Sequence, residues 1–195
     1  MPKEKLDELS APLAVLVLLS GGIDSTATVH FYKTQGNSVS GLFIDFGQIS
    51  GKREEAASEF IADFFKIKLH KVKCSGINSK KSGYISGRNA FLLHTALMNF
   101  PFKKGIIAIG IHSGTNYIDC SNSFAIMMQQ SFDLYTDGQV NIGTPFINWK
   151  KNEIYYYSQK NGIPLHLTYS CELGKKQPCG ECISCKDLEA LNAQS

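Results

Sequence analysis

The sequence predicts an α/β protein: a doubly wound, mostly parallel sheet with helices on both faces, followed by a cysteine-rich C-terminal segment. Three observations point there. Apolar runs of strand length, such as "LAVLVLL" at residues 13–19, carry no polar interruption, the pattern of strands buried on both faces. These runs alternate with stretches of helical periodicity, as crossover connections between parallel strands require. Two adjacent glycines between serines follow the first run, at the carboxyl edge where open parallel sheets take ligands.

The elements follow in order. After the first strand, residues 25–34 read as a helix stopped by Gly36 in "TQGN". "SVSGLFIDFG" supplies a second strand to about Ile44. In "GKREEAASEFIADFFK" the spacing places Ala56, Phe60, Ile61 and Phe64 on one helical face with the charges opposite. "KLHKVKC" is a short third strand, "GRNAFLLHTALMNF" an apolar helix and "KGIIAIGI" another buried strand. "SNSFAIMMQQSFDLY" gives a further helix and "NWKKNEIYYYSQKNG" the last long one. A composition shift near Thr168 divides an α/β body, 1–167, from a Cys/Gly/Lys-rich segment, 168–195.

Bulk properties exclude several classes. Hydrophobic content of 43% with 19% charged residues suits a globular chain with a buried core. The net charge of +3 is compatible with small anionic ligands and demands no nucleic-acid surface. The run at 13–19 is too short to span a bilayer and follows mixed charges, so a cytoplasmic protein without membrane association is expected.

"LSGGIDST" joins the first strand to its helix. Gly21 and Gly22 let backbone N–H groups converge on an anion, Ser20, Ser25 and Thr26 add hydroxyls, and the helix contributes its positive end. Asp24 is suited to place a cation on the phosphates or to cap the helix. No Gly-Lys-Ser/Thr follows, so the loop is not a Walker A element, and adjacent glycines are not the dinucleotide fingerprint. The segment resembles the PP-loop of ATP pyrophosphatases, which split ATP between its α and β phosphates to adenylate a substrate oxygen.

Four of the six cysteines fall in the last 25 residues: Cys171, Cys179, Cys182 and Cys185. Two-residue gaps turn neighbouring thiolates onto one cation, Gly180 permits the bend, and Cys171 completes a tetrahedron. Zn²⁺ is favoured, with an iron–sulfur cluster as the chemical competitor. A closed four-thiolate site would be structural, holding a segment that lacks its own core.

Together the two motifs resemble the 7-cyano-7-deazaguanine synthase family, and intervening matches run in the same order: "DFGQ" at 45–48, "GRN" at 87–89, "YIDC" at 117–120, and "TPF" with Lys151 and Glu153. The likeness spans about residues 13–190. It implies an AMP-forming, ATP-dependent carbon–nitrogen ligase. A deazapurine carboxylate becomes an acyl-adenylate, ammonia gives the amide, and a second ATP-dependent step gives the nitrile.

By matched position, Ser20, Gly21, Gly22, Asp24, Ser25 and Thr26 would bind pyrophosphate and Mg²⁺, with Asp45, Gln48 and Asn89 also on the nucleotide side. Arg88 and Lys151 would meet phosphate or the activated carboxylate, and with Asp24 form the catalytic set. Tyr117 and Asp119 would meet the guanine-like base; a cap for its own helix is the competing role for Asn89. His112 has no counterpart in the matched motifs. The family implies a homodimer, for which the aromatics of "EIYYYSQK" offer a surface.

Departures cluster at the acid-binding end: a shortened "IHSGTNYID", Ile118 for proline, Ser121 for arginine, and an abbreviated stretch between Cys74 and Ile85. Three readings stay open. The chain makes the deazapurine nitrile; or, like relatives in anti-phage gene clusters, it couples the activated acid to a protein or nucleic-acid amine. The third is a PP-loop tRNA-modifying enzyme or a nucleotide-binding module without turnover.

Overall fold

The computed structural model describes residues 12–76 and 83–193. The charged N-terminus and most of the abbreviated stretch between Cys74 and Ile85 lie outside them. Five parallel strands, β1 (Ala14–Leu18), β2 (Ser38–Asp45), β3 (Lys68–Lys73), β4 (Gly105–Ala108) and β5 (Val140–Gly143), run in the order β3-β2-β1-β4-β5. The register sets Leu18 against Leu42 and Val17 against Ala108.

Alternation along β1 divides the core. Val15 and Val17 join a cluster with Ile61, Phe146 and Ile154, whereas Leu16 and Leu18 join Leu42, Leu93, Ile107 and Phe132 on the other face. Helices α1 (Ile23–Thr34), α2 (Gly51–Phe65) and α5 (Lys151–Lys160) cover the first face; α3 (Arg88–Met98) and α4 (Asn122–Thr136) cover the second. The doubly wound architecture is therefore as expected. Its topological switch lies between β1 and β4, where such sheets open a crevice.

Details differ from the sequence reading. The buried face of α2 comprises Ala57, Ser58, Ile61, Ala62 and Phe65, while Phe60 and Phe64 are 59% and 52% exposed. The face is turned by one residue because the PP-loop side needs small side chains: Ser58 Oγ donates to the Leu19 carbonyl at 2.9 Å. Strand β5 was not expected, since "VNIG" is short and interrupted by an exposed asparagine. It forms because β4 supplies a parallel partner and Gln129 of α4 closes its far edge, accepting from Ile142 N–H at 2.7 Å.

The C-terminal segment has more structure of its own than expected. Helix α6 (Ile183–Asn192) begins directly after Cys182 and carries Cys185, and Leu191 enters the first-face core. Of the three tyrosines in α5, Tyr155 is buried and donates to Asn192 Oδ1 at 2.6 Å, Tyr157 bonds His30 Nδ1 at 2.7 Å, and Tyr156 faces outward. Among the described residues no helix is long and apolar enough to cross a membrane.

Candidate functional site

The loop after β1 owes its path to one glycine. Gly21 has φ +79°, and a Cβ there would lie 2.7 Å from Ala57 Cβ and 2.8 Å from the Glu54 carbonyl oxygen. The loop thus lies directly on α2. Gly22 has an extended backbone with room for a side chain, and acts as the N-cap of α1. Helix α1 starts two residues earlier than its expected bounds, so Asp24 sits in its first turn and caps nothing.

A cavity of about 630 Å³ opens above this loop, within the range of small-molecule sites. Ser20, Gly22, Asp24 and Ser25 line it from the loop, Gln48 from the β2–α2 turn, and Arg88 and Asn89 from the start of α3. Tyr117 and Lys151 line it too. The sequence-predicted residues thus converge from five separated segments on one space. Gly21, Thr26, Asp45 and Asp119 are not in its lining.

Thr26 lies beneath the loop with its hydroxyl donating to the Gly22 carbonyl at 2.7 Å, and Ser25 Oγ does the same at 3.0 Å. These bonds fix the turn. Asp45 Oδ1 accepts from Gly47 N–H at 2.9 Å, and Gln48 bridges Phe46 N–H and Glu54 Oε2, each at 2.9 Å. Both shape the turn into α2. Asn89 is buried and donates to the Asp119 carbonyl at 3.0 Å, tying α3 to the 3₁₀ turn Ile118–Cys120; it does not cap its own helix.

The charges concentrate at one point. Lys151 Nζ lies 2.5 Å from Asp24 Oδ2, and His112 Nε2 lies 4.0 Å from the same oxygen. Asp24 Oδ1 is buried without a hydrogen-bond partner, a free carboxylate oxygen beside the loop that fits a hard cation such as Mg²⁺. Burial holds His112 below the usual imidazole range; Asp24 pulls upward and Lys151 reinforces the lowering.

Asp119 is the second orphan. Its residue is 3% exposed and neither carboxylate oxygen has a partner. Two residues before it, the ring of Tyr117 lies 5.0 Å from that of Tyr84 at 33°, a tilted pair of which sequence reasoning contributed only Tyr117.

At the other end the four sulfurs of Cys171, Cys179, Cys182 and Cys185 lie within 4.8 Å of one another. Cys179 Sγ and Cys185 Sγ are 3.8 Å apart, about the spacing that tetrahedral metal–sulfur bonds of about 2.3 Å impose. The N–H groups of Glu181 and Cys182 donate to Cys179 Sγ at 3.4 and 3.3 Å, which favours its thiolate. Burial pushes the Cys185 thiol up to about 12, whereas at Cys171 amide and thiol hydrogen bonds outweigh burial and bring it to about 6. Four thiols this crowded cannot all ionise without a cation, and the donor set fits one.

Sequence reasoning missed that this segment also walls the cavity above the loop. Glu172, Ser184 and Asp187 line it, and Tyr169 N–H donates to the Gly21 carbonyl at 2.9 Å. His112 was likewise unassigned, although its place just after a buried strand, at the carboxyl edge of the sheet, was a usable signal.

The family model described as queuosine biosynthesis protein QueC matches residues 14–81 and 75–192. The 7-cyano-7-deazaguanine synthase of Acetivibrio thermocellus is 32% identical, covering 87% of this chain and 88% of its own. That of Nautilia profundicola is 29% identical, covering 88% and 89%. Among solved structures, the U34-tRNA thiolase NcsA of Methanococcus maripaludis superposes with a TM-score of 0.57 at 17% identity, covering 95% of this chain and 66% of that one. A predicted tRNA methyltransferase subunit of Methanocaldococcus jannaschii gives 0.54 at 18% identity, covering 76% of each. At these identities the structural likeness establishes the fold alone.

Proposed function

The chain belongs to the queuosine biosynthesis protein QueC family, and from that premise we propose that it adenylates a 7-deazaguanine-type carboxylate and passes the acyl group to an amine. The relatives named as synthases support an ATP-using enzyme of the PP-loop kind. The observation that carries the finer reading is the single cavity in which the serine-glycine loop, the Asp24–Lys151 pair and the Arg88–Tyr117 end meet.

In this reading the amides and hydroxyls of Ser20 to Ser25 hold the pyrophosphate at the start of α1. A carboxylate oxygen of the acid attacks the α-phosphorus, the bond to the β-phosphate bridging oxygen breaks, and pyrophosphate leaves with that electron pair. Ammonia or a primary amine then attacks the acyl carbon, AMP departs, and the nitrogen loses a proton, leaving an amide. With ammonia as nucleophile, the amide oxygen attacks the α-phosphorus of a second ATP and expels pyrophosphate; departure of that oxygen as AMP and loss of both nitrogen protons then leave the nitrile. A carboxylate resists attack until its oxygen becomes such a leaving group, so positioning and charge stabilisation dominate.

Lys151 neutralises charge that develops on the phosphate oxygens, and Asp24 holds its ammonium in place. Asp24 Oδ1 would hold Mg²⁺, whose charge, when it is bound, screens the triphosphate. Arg88 orients the acid and Tyr117 stacks on its heterocycle, while Asp119, buried outside the lining of the ligand-free cavity, would accept from the guanine-like edge once the acid is bound. The Cys171, Cys179, Cys182 and Cys185 cluster would carry Zn²⁺; sulfurs this close suit one ion better than a four-iron cluster. An ATP-binding body of residues 1–167 with the metal-binding segment 168–195 packed on it is part of the same proposal.

Purified protein incubated with ATP, Mg²⁺, 7-carboxy-7-deazaguanine and ammonia should release AMP and pyrophosphate only when the acid is present. Release of ADP, or nucleotide retention without cleavage, would refute the proposal.

A further inference from the structure

His112 lies in the loop after β4, whose end abuts the start of α1 so closely that a Cβ on Gly110 would come within 2.8 Å of the Asp24 carbonyl group. The histidine is 8% exposed, yet it lines the cavity. Its Nδ1 accepts the Gly114 N–H at 3.0 Å. A ring nitrogen that accepts carries no proton, so the proton of the neutral ring is on Nε2. That N–H faces Asp24 Oδ2 from 4.0 Å, beyond hydrogen-bond reach, because Lys151 Nζ already occupies that oxygen at 2.5 Å. A donor of fixed tautomer and orientation, on a buried ring, thus faces the cavity with the Asp24 oxygen beyond hydrogen-bond reach. A Cβ on Gly114 would sit 2.8 Å from Nδ1, so the ring is clamped in this pose.

A ligand that completes this arrangement carries an anionic oxygen within reach of both Lys151 and His112. In the proposed reading the loop takes the pyrophosphate half of ATP, and Arg88 and Tyr117 line the same cavity. His112 is near both: its Nε2 lies 4.0 Å from Asp24 Oδ2, and its backbone meets the Cys120 thiol, which also feels the charge of Arg88. We propose that His112 is a substrate-contacting residue whose Nε2–H donates to an oxygen of the phosphate that joins the acid to AMP, so that it grips the acyl-adenylate and not the pyrophosphate. The inference rests on the adenylation reading above. It adds a recognition element for the intermediate, on a residue that the matched family motifs do not include.

The test compares His112→Gln, which keeps a donor at similar reach, with His112→Met, which fills similar space without one. Affinity is measured by calorimetry for two probes: methylenediphosphonate, which mimics the pyrophosphate half alone, and a non-hydrolysable acyl sulfamate of adenosine carrying the deazapurine acid. A lost bond to a charged oxygen corresponds to about ten- to a hundred-fold in affinity. His112→Met should lose about that much for the acyl sulfamate and stay within about twofold of wild type for methylenediphosphonate, whereas His112→Gln should recover most of the loss. Equal affinities in both variants and wild type, or equal losses for both probes, would overturn the assignment. If wild-type protein binds methylenediphosphonate but not the acyl sulfamate, the adenylation reading itself fails and takes this inference with it.

Discussion

Lys151 Nζ is 2.5 Å from Asp24 Oδ2, while the other oxygen of that carboxylate is buried without a partner. One residue comes from the first turn of α1 and the other from the start of α5, 127 positions apart in sequence. In the proposed mechanism the pair divides the labour: one oxygen fixes a cation of the protein, and the other would hold a cation that travels with the nucleotide.

Lys151→Met should therefore reduce acid-dependent pyrophosphate release by about a hundred- to a thousand-fold, the loss seen when one fixed transition-state donor is removed. ATP affinity should change less than turnover. Asp24→Asn keeps shape but removes the charge, so it should weaken the dependence of nucleotide affinity on Mg²⁺ concentration. A Mg²⁺ titration of nucleotide binding that is unchanged in Asp24→Asn would remove the cation from Oδ1.

Asp119 opposes stability to function. A buried carboxyl group with two unpartnered oxygens is costly to the fold. Asp119→Asn should leave the unfolding midpoint of the ligand-free protein unchanged or raise it, while weakening deazapurine acid binding by about ten- to a hundred-fold. A variant that is both less stable and equally active would assign Asp119 to the scaffold.

The body of the fold was legible because apolar runs and helical periodicity are local signals. The parts that escaped depend on contacts made elsewhere. Strand β5 exists through β4 and Gln129, and the buried face of α2 is chosen by the loop lying on Ala57 and Ser58, against the pull of Phe60 and Phe64. At the site, "SGGIDST" and the cysteine spacing are local signals: Ser20, Gly22, Asp24 and Ser25 do line one cavity, and the four sulfurs do converge. The pairing of Asp24 with Lys151 and His112, and the approach of Asp187 from α6, arise only once the sheet brings distant loops together.

The two loop glycines separate folding from binding. Gly21→Ala places a Cβ against Ala57 and the Glu54 carbonyl at positive φ, and should cost about 1–3 kcal/mol in denaturant unfolding. Gly22→Ala meets only Ser20 Oγ at 3.6 Å and the Tyr169 carbonyl at 3.8 Å, so stability should change by less than about 1 kcal/mol. Equal destabilisation by both variants would mean that the loop does not rest on α2 as described.

His112 gives stability a defined pH response. Burial lowers its folded value below the ordinary 6.5, so the unfolded chain takes up a proton first as pH falls. Its contribution is complete above about pH 6.5 and is lost as pH falls from there toward the folded value. Denaturant midpoints of the ligand-free protein should drop more steeply between about pH 7.5 and 5.5 in wild type than in His112→Gln. Parallel curves would show that His112 titrates alike in both states.

The cysteine cluster should govern the nucleotide cavity as well as local stability. Tyr169 N–H holds the chain to the Gly21 carbonyl on one side of the cluster, and α6 carries Ser184 and Asp187 into the cavity wall on the other. Without a cation, four sulfurs within 4.8 Å of one another have no reason to stay together, and both wall segments lose their anchor. Cys182→Ser should therefore lower metal content from about one ion per chain toward zero. It should also weaken binding of α,β-methylene-ATP, although Cys182 itself lies outside the cavity lining. Mass spectrometry under native conditions reads the first effect and calorimetry the second. Full nucleotide affinity in a metal-free variant would show that the cavity wall stands without the metal centre.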